Sequence, residues 1–455
     1  MNRNSDKLGT MPIGKLLVVM SVPMMISMFI QALYNVVDSM FVARLSEDAL
    51  TAVSLAFPLQ NIMIAIGVGT GVGITAMVPR ALGAGDRARA ERAANVQVFL
   101  GLCYTVITVL IGVFFARGYF TMQTDIQSIV DYGEQYVSII CIWSMGLYMA
   151  QGFEKLLVAT GSATPSMISQ ALGAVLNIAL DPVLIFGLGP IPALGVRGAA
   201  IATVIGQFSS AICAFIMCLK YNTTTRFHLR QMLPELSIIK GIYAVGIPSM
   251  LTIGLTTAMS YCMNNILLGF STTATAVFGI WLKFQSFGFM PVYGMNNGTI
   301  AIYSYNYGAR KIDRVFKTMR IAMTISIVLG IFVTILYELI PAQLLRLFSA
   351  SDNMMSIGIG ALRTCSLSIL CASVCIIISS ACQSLGRSRY TLTINICRQV
   401  VFQVAAAWVL ARFGRLELVW FAPLIAEFLT MFVSLFLGSK VSKRLKAMAA
   451  EQPQT

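Results

Sequence analysis

Charge is what this sequence has least of. Only 11% of its 455 residues are Asp, Glu, Lys or Arg, against about 25% in a soluble protein. Acids are the scarcer sign, 18 against 32 basic residues, and there is one histidine, His228. No Ser/His/Asp or metal-ligand spacing can be assembled from this set, so neither an enzyme nor a bound metal or other cofactor is expected. The ten cysteines form no CxxC pair and all fall within apolar runs. A free Cys there behaves as a small hydrophobe. Polar stretches are scarce too, the main one being KYNTTTRFHLRQMLPELSIIK at 220–240. GVGTGVG, Gly67 to Gly73, has no strand before it and no GK[ST] after it. Close helix packing by small residues explains it better than a phosphate loop.

What fills the chain instead is apolar: 57% of residues are hydrophobic. A spanning helix needs roughly 20 apolar residues. Such runs fall near 14–38, 49–78, 94–116, 132–158, 165–188 and 198–219, then near 241–269, 272–304, 318–340, 354–385, 390–411 and 416–438. This is an all-α membrane protein of twelve spans. The first run is too long for a signal peptide, so it is expected to act as its own insertion signal. Placing both termini in the cytoplasm puts 23 Lys and Arg in inner segments, 6 in outer loops and 3 within spans. That bias fixes the orientation and explains the net charge of +14 without nucleic acid.

The chain also repeats. One ungapped shift of 225 residues puts Pro23 on Pro248, Gln60 on Gln285, Gly69 on Gly294 and Gly73 on Gly298. It also puts Arg89 on Arg314 and Gly161 on Gly386. Each repeat holds six spans, an even number, so the halves enter from the same side. They should be related by an axis along the membrane normal. The expected domains are six-helix bundles at 1–235 and 236–455, with a cleft between them. Gln60, Lys283, Gln285 and Asn297 are candidate cleft residues. A channel can share this plan, but a transporter is its commoner use.

An acid in a span costs about 2.5–3.5 kcal/mol to insert, so each is a functional candidate. Asp38 closes the first span, with Tyr34 one turn before it on the same face. Pro23 lies half a membrane earlier and can make a bend. Asp181 lies in NIALDPVLIFG, one turn after Asn177. Pro182 leaves the carbonyl of Ile178 without its helical donor. These oxygens suit a proton or Na⁺, and Asp38 and Asp181 are expected to approach each other. Glu154 and Lys155 read as lying near the surface at a helix end. Arg398 and Glu427 read as a structural pair between the last two spans.

These stretches resemble the multidrug and toxic-compound extrusion (MATE) family over nearly the whole chain. SVPMMI…YNVVDSMFV resembles the family's first helix, LGAGDRARAERAANV the loop after its second, and NIALDPVLIFG its fifth. YNYGARKIDRVFKT, from Tyr305, repeats the loop. The branch related to norfloxacin exporters carries acids in helices 7 and 10. Those positions are Thr256 and about Cys375 here, so the pattern is closer to the DinF-like and MepA-like branches. The resemblance implies a bacterial cytoplasmic-membrane antiporter, monomeric, exporting amphipathic and often cationic compounds for H⁺ or Na⁺. Tyr34, Asp38, Asn177 and Asp181 would be the coupling group, with Thr203 as a further member. A flippase for a lipid-linked precursor remains the alternative, with Lys283 and Arg398 as its only candidate pyrophosphate ligands.

Overall fold

The computed structural model describes residues 5–222, 234–348 and 351–451. His228 and most of the polar connector lie outside them. Among the described residues the chain is helical, with one isolated bridge between Leu188 and Ile191. Among the described residues ten helices are long and apolar enough to cross a membrane. The fourth span is a broken pair, Gln127–Ile142 and Met145–Ala159, bent by 49°. The eighth, Thr272–Gly308, is a helix of 37 residues that is not among those ten. Together these account for the twelve expected spans.

Helix ends lie further out than the apolar runs because polar caps extend them. Ser46 Oγ accepts from the amide of Ala49 at 3.0 Å and starts the second span (Glu47–Gly83). Asp86 caps the third (Arg87–Phe114) in the same way. Such caps satisfy amides that have no partner within the helix. The repeat reappears in these details. Ser271, 225 residues after Ser46, accepts from Ala274 at 3.0 Å. Gly161 and Gly386 both turn at positive φ, +83° and +77°. Gly85 does so at +79°, and its counterpart Arg310 follows at +56° although it carries a side chain.

The chain forms two compact units, whose divisions fall elsewhere than the expected cut at 235/236. The first unit holds residues 1–10 and 26–246; the second holds 11–25 and 247–455. The divisions fall within the first span (Ile13–Ala43) and the seventh (Leu236–Leu268), within three residues of Pro23 and Pro248. The opening stretch of each of these helices therefore belongs with the opposite half of the sequence.

Glycines explain how each stretch is received. In the first unit, a Cβ on Gly73 would lie 2.4 Å from the carbonyl oxygen of Ile242, and Gly246 similarly abuts Gly69. Tyr104 joins in through hydroxyl contacts to Thr70 and Tyr243. On the helix's other side Gly67 makes room for Gln151, and Gly71 for Lys155. In the second unit the equivalent glycines receive the first span: Gly294 lies against Met25 and Gly298 against Met20. Arg314 fastens the start of that span by donating to the carbonyl of Met11 at 2.7 Å. The repeated glycines are thus close-approach sites for backbone, as expected for small-residue packing between membrane helices.

The first unit's core gathers around Phe120, Tyr136, Ile140 and Tyr148. The second unit's largest cluster includes Phe278, Trp281, Phe284 and Tyr337.

Candidate functional site

The site is built by the first, fourth, fifth and sixth spans of the first unit. The fifth (Ala163–Phe186) and sixth (Val196–Tyr221) come close at paired glycines. A Cβ on Gly173 would lie 2.7 Å from the carbonyl of Gly206, and one on Gly206 equally close to that of Gly173. This approach sets Asn177 beside Thr203. The Asn177 amide nitrogen donates to Asp181 Oδ1 and to Thr203 Oγ1, each at 3.4 Å. Donation to a carboxylate fixes which end of the amide is nitrogen. Its carbonyl oxygen is left buried without a protein partner, as is Asp181 Oδ2.

Asp38 approaches from the first span, and its carboxyl lies within hydrogen-bonding reach of Asp181. Tyr34, one turn earlier, lies near both acids. Asp38 Oδ1 is buried without a hydrogen-bond partner. Tyr34, Asp38, Asn177, Asp181 and Thr203 thus form one polar group. Two carboxyls so close repel when both are ionised and attract when they share a proton. The group can therefore hold a cation or release it with a change of net charge.

Two residues join this site that the sequence reading left out of it. Tyr136, buried in the fourth span, lies in the neighbourhood of Tyr34 and both acids, and its hydroxyl accepts from Gln60 Nε2 at 3.2 Å. Gln60 therefore reaches this group. An aromatic within an apolar run carries no signal that separates such a residue from core. The second is Glu154, and here the structure corrects the expectation of a surface position. Glu154 is buried, 8% exposed, and accepts from Ser210 Oγ at 2.6 Å. A cavity of about 110 Å³ runs between it and the polar group, with Tyr34, Asn177 and Thr203 on its wall.

The remaining candidates lie in the second unit. Lys283 is exposed, its ammonium over the ring of Phe348 at 5.3 Å. Gln285 and Asn297 are half-buried on the same helix. Arg398 and Glu427 form the expected buried pair, and the guanidinium lies over the ring of Phe289. Arg398 sits in a π-helical segment, Cys397–Val404. Thr256 donates to Gln399 at 3.1 Å, and Cys375 lies beside Glu427. The carboxylate near Cys375 therefore comes from the last span and is already paired. Among the described residues, no group of His, Cys, Asp and Glu has metal-binding geometry.

A bundle of membrane-crossing helices that holds two adjoining acids and a polar cavity has the build of a solute carrier. The chain belongs to the MatE family, whose model matches twice, at residues 23–183 and 248–409. The two matches begin 225 residues apart, the same shift that aligns the sequence with itself. The chain is 24% identical over 427 residues to the multidrug export protein MepA of Staphylococcus haemolyticus, covering 93% of each. It is 24% identical over 408 residues to the probable multidrug resistance protein YoeA of Bacillus subtilis, covering 88% of each. Its fold matches a multidrug resistance MATE family transporter of the MOP superfamily, solved in an outward-facing conformation. The TM-score is 0.90 at 26% identity, over 99% of this chain and 100% of that one. The protein is a membrane transporter of this family.

Proposed function

We propose that the protein exports amphipathic, often cationic organic compounds across a bacterial cytoplasmic membrane in exchange for protons. The carrying observation is that Asp38 and Asp181, from spans far apart in sequence, meet in one polar group beside a cavity. Tyr34, Asn177 and Thr203 complete the coupling group. Multidrug export by the MepA relative supports the same cargo class.

In the proposed cycle the acid pair takes up protons from outside, and the loss of repulsion lets the first span bend at Pro23. The bend reshapes the cavity and displaces cargo outward. Return of the proton to the cytoplasm restores the pair. Both termini lie in the cytoplasm, in keeping with the Lys and Arg bias.

The test is dye efflux from vesicles holding the purified protein, under an imposed pH gradient or an imposed Na⁺ gradient. Efflux driven by the pH gradient alone is expected. Efflux that needs Na⁺ would assign the same oxygens to that ion, and no response to either gradient would overturn the antiport reading.

A further inference from the structure

A second cavity, of about 50 Å³, lies wholly among residues of the second unit. Span ends build it. Tyr307 ends the eighth span, and Arg387 and Tyr390 stand where the helix Ser388–Ile396 begins. Lys440 and Arg444 come from the last helix, Ala422–Ala450. Arg387, Lys440 and Arg444 bring three positive charges to the wall, and no Asp or Glu lines it. None of the ion pairs among the described residues uses any of the three. Like charges gathered in one place repel, so the cluster favours an anion. The fold itself does not ask for these charges. The 225-residue shift puts Arg387, Lys440 and Arg444 on Ser162, Phe215 and Leu219, all uncharged.

The last helix also shows what adjoins the pocket. Phe432 and Phe436 are 54% and 60% exposed, and Lys440 Nζ lies over the ring of Phe436 at 4.3 Å. The positive charge therefore sits where an exposed apolar face meets the cavity. Leu385, Val441, Leu445 and Met448 line much of the rest.

We propose that this pocket binds the phosphate of an anionic phospholipid, one whose headgroup keeps a net negative charge. A cavity needs about 10–15 Å³ to hold one water, so about 50 Å³ admits a phosphate group and little more. The arginines can pair with phosphate oxygens through two parallel N–H bonds, and Lys440 adds a point charge. The apolar surroundings choose the source of the phosphate. A free phosphate would leave the apolar wall and the two phenylalanines bare, whereas the glycerol and acyl chains of a lipid cover them. With both termini in the cytoplasm, the pocket opens to the inner leaflet, where basic pockets between spans suit anionic headgroups. The site needs neither the cargo nor the coupling ion, so it stands or falls apart from the transport reading.

The test is native mass spectrometry of the full-length protein in detergent, titrated with phosphatidylglycerol or with phosphatidylcholine of the same chains. Wild type is compared with Lys440→Gln/Arg444→Gln and with Lys443→Gln/Lys446→Gln. The second pair removes the same charge from the same helix without touching the cavity wall. All four residues are exposed, so both variants should fold, and melting in lipid-free detergent reports it. Wild type is expected to bind one phosphatidylglycerol roughly tenfold more tightly than phosphatidylcholine. Lys440→Gln/Arg444→Gln should lose roughly tenfold of that affinity, and Lys443→Gln/Lys446→Gln should stay within about twofold of wild type. Glycerophosphate, the headgroup without chains, should not displace the lipid. Equal losses in the two variants would mean a general attraction to a basic helix end and would overturn the site. So would equal affinity of wild type for the two lipids. Displacement by glycerophosphate would reassign the pocket to a soluble phosphate compound and overturn the lipid assignment.

Discussion

Replacing Gly73 with alanine probes the seat of the seventh span's opening stretch. The new Cβ would lie 2.4 Å from the Ile242 carbonyl oxygen and 2.8 Å from its Cγ2. Ordinary contact begins at 3.4 Å, so the helix must withdraw by about 1.0 Å (3.4 − 2.4). Nothing flexible can give way, because the first obstacle is backbone. Overpacking of this kind costs about 1–3 kcal/mol. The withdrawal should also strain the Tyr104–Tyr243 contact and the approach of Gly246 to Gly69. Gly254→Ala is the internal control. It lies on the seventh span, the helix that must withdraw, with nothing within 4 Å, so alanine there should be neutral or stabilise by up to about 1 kcal/mol. Thermal unfolding in a single detergent separates the two. For a unit of this size each kcal/mol moves Tm by roughly 2–4 °C. Gly73→Ala should melt lower and Gly254→Ala at or above wild type. Equal melting temperatures for the two variants would refute the seat as a tight backbone contact.

Asp38→Asn and Asp181→Asn are each expected to abolish gradient-driven efflux at normal expression and insertion. Normal efflux by both would remove these acids from the coupling role. Pro23→Ala should slow efflux while cargo binding in detergent stays near wild type, and full efflux with unchanged pH dependence would rule out the bend. Arg398→Ala leaves Glu427 buried without its partner and should cost about 3–5 kcal/mol of stability. The double variant Arg398→Met/Glu427→Leu should recover most of that, so a double variant as unstable as the single one would contradict a simple structural pair.

The site's acids were legible because a carboxylate in an apolar run has few explanations. Asp38 and Asp181 stand out for that reason, and helical spacing alone puts Asn177 next to Asp181. Glu154 did not stand out, because it lies near the end of its run and a helix end reads as an interface. The break at Trp143–Ser144 leaves Met145–Ala159 as a short helix whose glycine-lined neighbour admits it to the interior. No residue pattern announces that break. Thr203 was placed only through the resemblance, since the Gly173–Gly206 approach that positions it is a contact between two helices. The unit boundaries were hidden for a related reason. A helix that is apolar all round does not declare which bundle it faces, so the first span read as one element of one domain. Its glycine partners, Gly294 and Gly298, were visible only as a repeat.

The exchange of opening stretches has a consequence for how the chain is made. Residues 11–25 find their unit among residues numbered 247 and above. The hydroxyl of Ser21 reaches the carbonyl of Met295, 274 positions later. At roughly 5–20 residues per second of synthesis, this half-helix waits on the order of 15–55 seconds before its seat is made. During that wait the first six spans are inserted but one end of the bundle lacks its final neighbour, the stretch 236–246. Long-range closure of this kind slows folding and ties the two halves into one late step. A ribosome stalled in the connector would thus release a membrane-inserted intermediate with its glycine seat at Gly69 and Gly73 uncovered. Supplying the missing half as a separate chain should complete both units at once, because each polypeptide carries the strand of helix that the other lacks.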